Sequence, residues 1–142
     1  MKISKSSKIV LDTNVFLVAL SKNRKYATVF RAFLEGKYVL AISTEILAEY
    51  EEIIAQRYPK EFVEEVFDLL ISAPNVIRQD VYFNWNLITA DPDDNKFVDV
   101  AVATNADFIV TNDKHFKILD TIDFPKVNII TAEDFLEILE NL

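Results

Sequence analysis

Four short apolar runs are separated by longer segments of helical spacing, and this alternation restricts the chain more than any other feature. Lys8-Ile-Val-Leu-Asp12, Tyr38-Val-Leu-Ala-Ile42, Phe108-Ile-Val-Thr111 and Val127-Asn-Ile-Ile-Thr131 are brief and rich in β-branched residues, as strands are. They are apolar along nearly their whole length. A strand with one wet face alternates polar and apolar residues, so continuous apolar strands belong in a parallel sheet covered on both faces.

The segments between them read as helices. In 44–57, Ile46, Leu47, Tyr50, Ile53 and Ile54 recur at three- and four-residue spacing. The segment 61–71 repeats the pattern with Phe62, Val66, Phe67 and Leu70. The segment 94–105 is apolar nearly all round, which predicts a buried helix. Thr131-Ala-Glu-Asp134 opens the last helix with a capping-box-like start. The stretch 72–92 reads as a long connection or a short extra strand. Strands alternating with helices predict an α/β fold, three layers α/β/α with a central parallel sheet of four to five strands. No repeat or Pro/Ser-rich linker divides the sequence, so residues 1–142 read as one domain.

Composition removes several chemistries. Gly36 is the one glycine, so a dinucleotide fingerprint or a phosphate-cradling loop is absent. There is no cysteine, and the single histidine, His115, excludes a His-x-x-x-His metal pair. Lys2, Lys5 and Lys8 before the run Ile9 to Leu20 imitate a secretory signal, but Asp12 and Asn14 interrupt it. No run is long enough to span a membrane. The expectation is a cytoplasmic protein with no membrane association.

Carboxylates are abundant: 23 Asp+Glu against 15 Lys+Arg, a net charge of −8. Four of them fall where parallel sheets gather functional groups, at strand ends and helix starts. Asp12 ends the first strand, Glu49 lies one turn into the helix after the second, Asp94 begins the buried helix, and Asp113 follows the strand 108–111. If they converge, they repel: two unit charges ~4 Å apart cost about 4 kcal/mol at an effective dielectric of 20. A hard divalent cation such as Mg²⁺ relieves such a cluster, and metal-assisted phosphodiester hydrolysis is the chemistry it implies. Each acid also has a structural reading. Asp12 suits a helix cap, Asp94 and Asp113 suit turns, and the periodicity does not choose between Glu49 and Glu51 at the two edges of one apolar stripe. Asp99, among apolar neighbours, is a fifth candidate, although about 140° from Asp94 around an ideal helix. His115 is expected at the surface beside Asp113 rather than as a general base.

Ile9-Val-Leu-Asp-Thr-Asn-Val-Phe16, Ser43-Thr-Glu-Ile-Leu-Ala-Glu49, Asp91-Pro-Asp-Asp-Asn-Lys-Phe-Val-Asp99 and Ala106-Asp-Phe-Ile-Val-Thr-Asn-Asp113 resemble the successive motifs of the PIN-domain nucleases. The likeness is to the bacterial branch of toxin–antitoxin toxins related to VapC. By that resemblance Asp12, Glu49, Asp94 and Asp113 match the family's metal-binding and catalytic acids. Asp99 falls where this branch often carries a further catalytic acid. Asn14 and Thr111 match polar positions that support the acids from behind. The resemblance implies a Mg²⁺- or Mn²⁺-dependent endoribonuclease, with RNA as substrate, a small antitoxin protein as partner and a homodimer as assembly.

An acidic RNA enzyme needs local cations, since phosphate contacts come from Lys and Arg. Lys22, Arg24, Lys25, Lys96, Lys114 and Lys117 lie close in sequence to the acidic motifs and read either as a basic rim or as ordinary solvated surface. Two alternatives are a PIN-like module that binds RNA or protein without cleaving, and a haloacid-dehalogenase-like phosphatase. The second requires an acid where Asn14 stands, and gives Glu49 no role.

Overall fold

The computed structural model describes residues 2–142. Strands β1 (Lys8–Leu11), β2 (Val39–Ile42), β3 (Val76–Arg78), β4 (Phe108–Val110) and β5 (Ile129–Ile130) form one parallel sheet in the order β3-β2-β1-β4-β5. Helices α1 (Thr13–Leu20) and α2 (Ala27–Leu34) connect β1 to β2, and α3 (Thr44–Ala55) and α4 (Lys60–Ser72) connect β2 to β3. The chain then recrosses the sheet through a 3-10 turn, Pro92–Asp94, and α5 (Asn95–Thr104) to reach β4. A 3-10 segment, Lys114–Thr121, leads to β5, and α6 (Ala132–Glu140) follows. This is the expected α/β architecture.

β1 is the central strand, with Ile9 registered against both Leu40 and Phe108, and Leu11 against Val110. Ile9, Val10 and Leu11 are buried, which explains why the strand carries no alternation. The succession β1, β2, β3 runs one way and then reverses to β4, so a topological switch point lies between β1 and β4. In open α/β sheets, the crevice beyond the carboxyl ends of such a pair of strands is where ligands bind.

Aromatic side chains join the helices of one face. Phe16 of α1 stacks on Tyr50 of α3 with centroids 4.2 Å apart, and Tyr38 meets Phe135 of α6 edge-on at 5.2 Å. Both tyrosine hydroxyls are buried and both are used: Tyr38 donates to the Val29 carbonyl at 2.9 Å, and Tyr50 donates to the Leu11 carbonyl. The second contact fastens α3 to the end of β1.

Several elements depart from the sequence reading. Residues 13–20 and 27–34, to which the pattern assigned no helix, are α1 and α2. Five of the eight residues of α1 are buried, including Thr13 and Ala19 on different sides. A helix packed on most of its circumference shows no amphipathic period. Gly36, at φ +72°, ends α2: its N–H donates to the Phe33 carbonyl, and the N–H of Lys37 donates to that of Ala32. Of the stretch 72–92, Val76–Arg78 forms the short extra strand β3. The rest lies along α5: the Asn95 amide donates to the Ile88 carbonyl (2.8 Å) and accepts the Ile88 N–H (2.9 Å), and the Trp85 N–H donates to Asp99 (3.0 Å). β5 pairs over two residues only, shorter than the expected 127–131.

Candidate metal centre

Asp12 leaves β1 where its N–H still donates to the Val110 carbonyl of β4 at 3.0 Å. It occupies the residue before α1, yet its side chain makes no capping hydrogen bond. The helix-cap reading therefore does not describe it. Its carboxylate turns to β4, where the Thr111 hydroxyl donates to Oδ2 at 2.7 Å. The same hydroxyl accepts the Asp113 N–H at 3.0 Å. Thr111 thus ties the two acids together across the switch point. Burial drives the Asp12 carboxyl upward from its ordinary pKa, and the charges of Asp113 and Glu49 add to this against the Thr111 hydrogen bond.

Asp94 ends the 3-10 turn in front of α5 and likewise makes no capping hydrogen bond. Its Oδ2 is buried without a partner. Burial, and then the charges of Asp113, Asp91 and Asp12, push its carboxyl up to about 7. Asp113 caps the segment that follows it, Oδ1 accepting the His115 N–H at 2.9 Å. Glu49 points inward from α3 while Glu51 is exposed, a choice that periodicity left open. One Glu49 oxygen accepts from the Thr13 hydroxyl, and the other lies 2.7 Å from the Lys96 ammonium. The structure thus brings Asp12, Glu49, Asp94 and Asp113 to one place, linked through Thr13, Thr111 and mutual charge. A cleft of about 360 Å³ opens there, lined by Asp12, Asn14, Tyr26, Asn112 and Asp113 among others. Asn14 is exposed at its wall.

Asp99 stands apart. It is 4% exposed, its hydrogen bond goes to Trp85, and Glu45 is the charge that acts on it. None of the four acids contacts it by hydrogen bond or ion pair among the described residues. Its visible work is to hold the segment beside α5.

His115 lies beside Asp113 as expected, its side chain 38% exposed, and the turn after Asp113 brings Nδ1 to 3.3 Å from Asp113 Oδ1 and 4.0 Å from Asp94 Oδ2. Nδ1 is buried and has no hydrogen-bond partner. His115, Asp91 and Asp94 form a group that offers one ligand atom each, all within 4.8 Å of one another. Lys96 is no rim cation, because its side chain is 8% exposed and engaged by Glu49 and Asp93. Lys25 is likewise paired, with Glu133 at 2.6 Å. Lys22, Arg24, Lys114 and Lys117 are exposed.

The donor set fits a hard divalent cation. Carboxylates from three segments face one another, and burial and like charge disfavour their ionised forms. One oxygen and one imidazole nitrogen among them lack any donor or acceptor. Among the described residues, no helix is long and apolar enough to cross a membrane.

Comparison with known proteins agrees with this geometry. An uncharacterized protein of Methanocaldococcus jannaschii is 30% identical over 146 residues, covering 94% of this chain and 92% of its own length. The fold is similar to that of VapBC2 from Rickettsia felis, solved bound to a DNA fragment from its promoter, with a TM-score of 0.61 and 22% identity over 87% of this chain and 98% of that one. It is also similar to the PIN domain endonuclease Utp24, with a TM-score of 0.53 and 18% identity over 87% and 84% of the two chains. The family model described as PIN domain matches residues 8–115, a span that opens on β1, takes in all four acids and closes on His115; the chain belongs to the PIN-domain family.

Proposed function

We propose that this protein is a Mg²⁺- or Mn²⁺-dependent endoribonuclease of the toxin type, acting on RNA in the cytoplasm and held in check by a small antitoxin protein. The observation that carries the reading is the unpartnered, buried Oδ2 of Asp94, set among Asp12, Asp113 and His115. A carboxylate so placed is costly unless a cation completes it. Asp12, Glu49, Asp94 and Asp113 are the acids of the proposed site, and Asn14 and Thr111 support them. The VapBC likeness supports the antitoxin as partner, and the absence of cysteine suits a reducing compartment.

Hydrolysis of an RNA phosphodiester adds the oxygen of water to phosphorus, breaks one P–O ester bond and leaves the phosphate on one product end. A bound divalent cation supplies ionisation of water and neutralisation of phosphoryl charge. The protein's own part is placement. Thr111 fixes the Asp12 and Asp113 carboxylates relative to each other across two strands. The cleft beside them admits a phosphodiester, and Asn14 and Asn112 offer neutral hydrogen-bonding groups along its wall. Exposed Arg24, near Tyr26 in sequence, and exposed Lys114, beside Asp113, are the cations available to flanking phosphates.

The test is incubation of labelled single-stranded RNA with the purified chain in EDTA, Mg²⁺ or Mn²⁺. Cleavage is expected with either cation and absent in EDTA, and Asp12→Asn is expected to abolish it. Full cleavage in EDTA, or an active Asp12→Asn, excludes the reading.

A further inference from the structure

The cluster of acids is electrostatically divided. On the Glu49 side Lys96 is already installed. Its Nζ donates to Glu49 Oε1 at 2.7 Å and to the Asp93 carbonyl at 2.9 Å, and lies 2.8 Å from Asp93 Oδ1. Two hydrogen bonds and one ion-pair contact hold the ammonium. The other Glu49 oxygen, Oε2, accepts the Thr13 hydroxyl. Glu49 therefore has a partner at both oxygens and shares with Asp93 a lysine only 8% exposed.

The other half has nothing comparable. Asp94 Oδ2 and His115 Nδ1 are buried without partners. Asp12, Asp113 and Asp91 surround Asp94 with like charge. Among the described residues, no Lys or Arg nitrogen lies within 4.0 Å of the carboxylates of Asp12, Asp94 or Asp113; only His115 does.

We infer that Lys96 is a built-in cation that occupies the Glu49 side of the acidic cluster, so the site binds a single divalent cation on the Asp12–Asp94–Asp113 side. Glu49 is then a positioning residue, holding Lys96 and, through Thr13, the start of α1, rather than a ligand. This rests on the metal-dependent reading above and sets its stoichiometry. The chemistry is general: in a cluster of fixed negative charge, a buried ammonium and a divalent cation compete for the same carboxylates.

The experiment is titration of the full-length chain with Mn²⁺, read by calorimetry and by the electron paramagnetic resonance signal of free Mn²⁺. Wild type is expected to bind one Mn²⁺ per chain. Glu49→Gln, which keeps the shape of the side chain while removing its charge and one of its two acceptors, is expected to retain that one site with affinity within a few-fold. Lys96→Met is expected to gain a second site, and Lys96→Met with Glu49→Gln to return to one. Two Mn²⁺ per wild-type chain, loss of the ion in Glu49→Gln, or an unchanged single site in a folded Lys96→Met would each overturn the inference while leaving metal dependence intact. No Mn²⁺ bound to wild type would instead overturn the nuclease reading itself. Should Lys96→Met fail to fold, the wild-type count and Glu49→Gln decide the matter.

Discussion

At Asp94, burial and three neighbouring carboxylates act in the same direction, holding the carboxyl up to about 7 against an ordinary value of 3.8. In the unfolded chain the group ionises near that lower value, so between about pH 4 and pH 7 the folded state binds more protons. Stability therefore falls as pH rises through this window, and the contribution is fully present only below it. Denaturant midpoints of metal-free wild type should drop from pH 5 to pH 8, whereas Asp94→Asn should flatten much of that slope. Asp12 is raised as well and retains part of it. A slope identical in the two proteins would mean that Asp94 ionises freely in the fold. Asp12, Asp94 and Asp113 were legible in the sequence because strand ends and helix starts can be located from apolar runs. Glu49 was not separable from Glu51, since both flank one stripe and only the position of α1 decides which faces inward. Lys96 was misjudged for a related reason. A side chain's partners depend on how the chain packs around it, and the inward course of Lys96 leaves no periodic trace.

α5 is the element on which the site and the core depend together. It is apolar nearly all round because the sheet packs on one side and residues 79–91 on the other, with Ile88 1% exposed. Asn95 holds that segment by giving and receiving one hydrogen bond with Ile88 while itself buried. Asn95→Ala removes both and strands two backbone groups, so a loss of roughly 1–3 kcal/mol is expected by denaturant unfolding. Amide exchange at Ile88 should quicken. Asp99→Ala should release the Trp85 amide to exchange while leaving Mn²⁺ affinity unchanged; weakened Mn²⁺ binding would restore Asp99 to the metal site. The burial of this helix was readable from its composition, but what buries it was not. The segment that covers it has almost no regular structure and is fixed by two polar side chains rather than by a pattern. α1 went unrecognised for the complementary reason: buried on several sides, it reads as a run without a period.

Across the whole molecule, the strand order carries the function. A chain that runs β1, β2, β3 and then reverses to β4 leaves two carboxyl ends side by side, and the acids that follow β1 and β4 meet there with Asp94, which the irregular segment 79–91 brings to the head of α5. The alternation of short strands and helices predicted the parallel sheet, yet the order of strands had to come from the structure. With a net charge of −8, the fold concentrates its repulsion where a cation relieves it. A cation that binds only the folded chain stabilises it by about 2.7 kcal/mol when free metal is ~100 times its dissociation constant. The most direct test is thermal melting of wild type and Asp94→Asn, each in EDTA and in saturating Mg²⁺ at constant ionic strength, which removes general screening. Asp94→Asn should melt higher than wild type in EDTA and should lose most of the Mg²⁺-induced rise. An Asp94→Asn that melts lower in EDTA and rises as much as wild type with Mg²⁺ would contradict a shared metal centre.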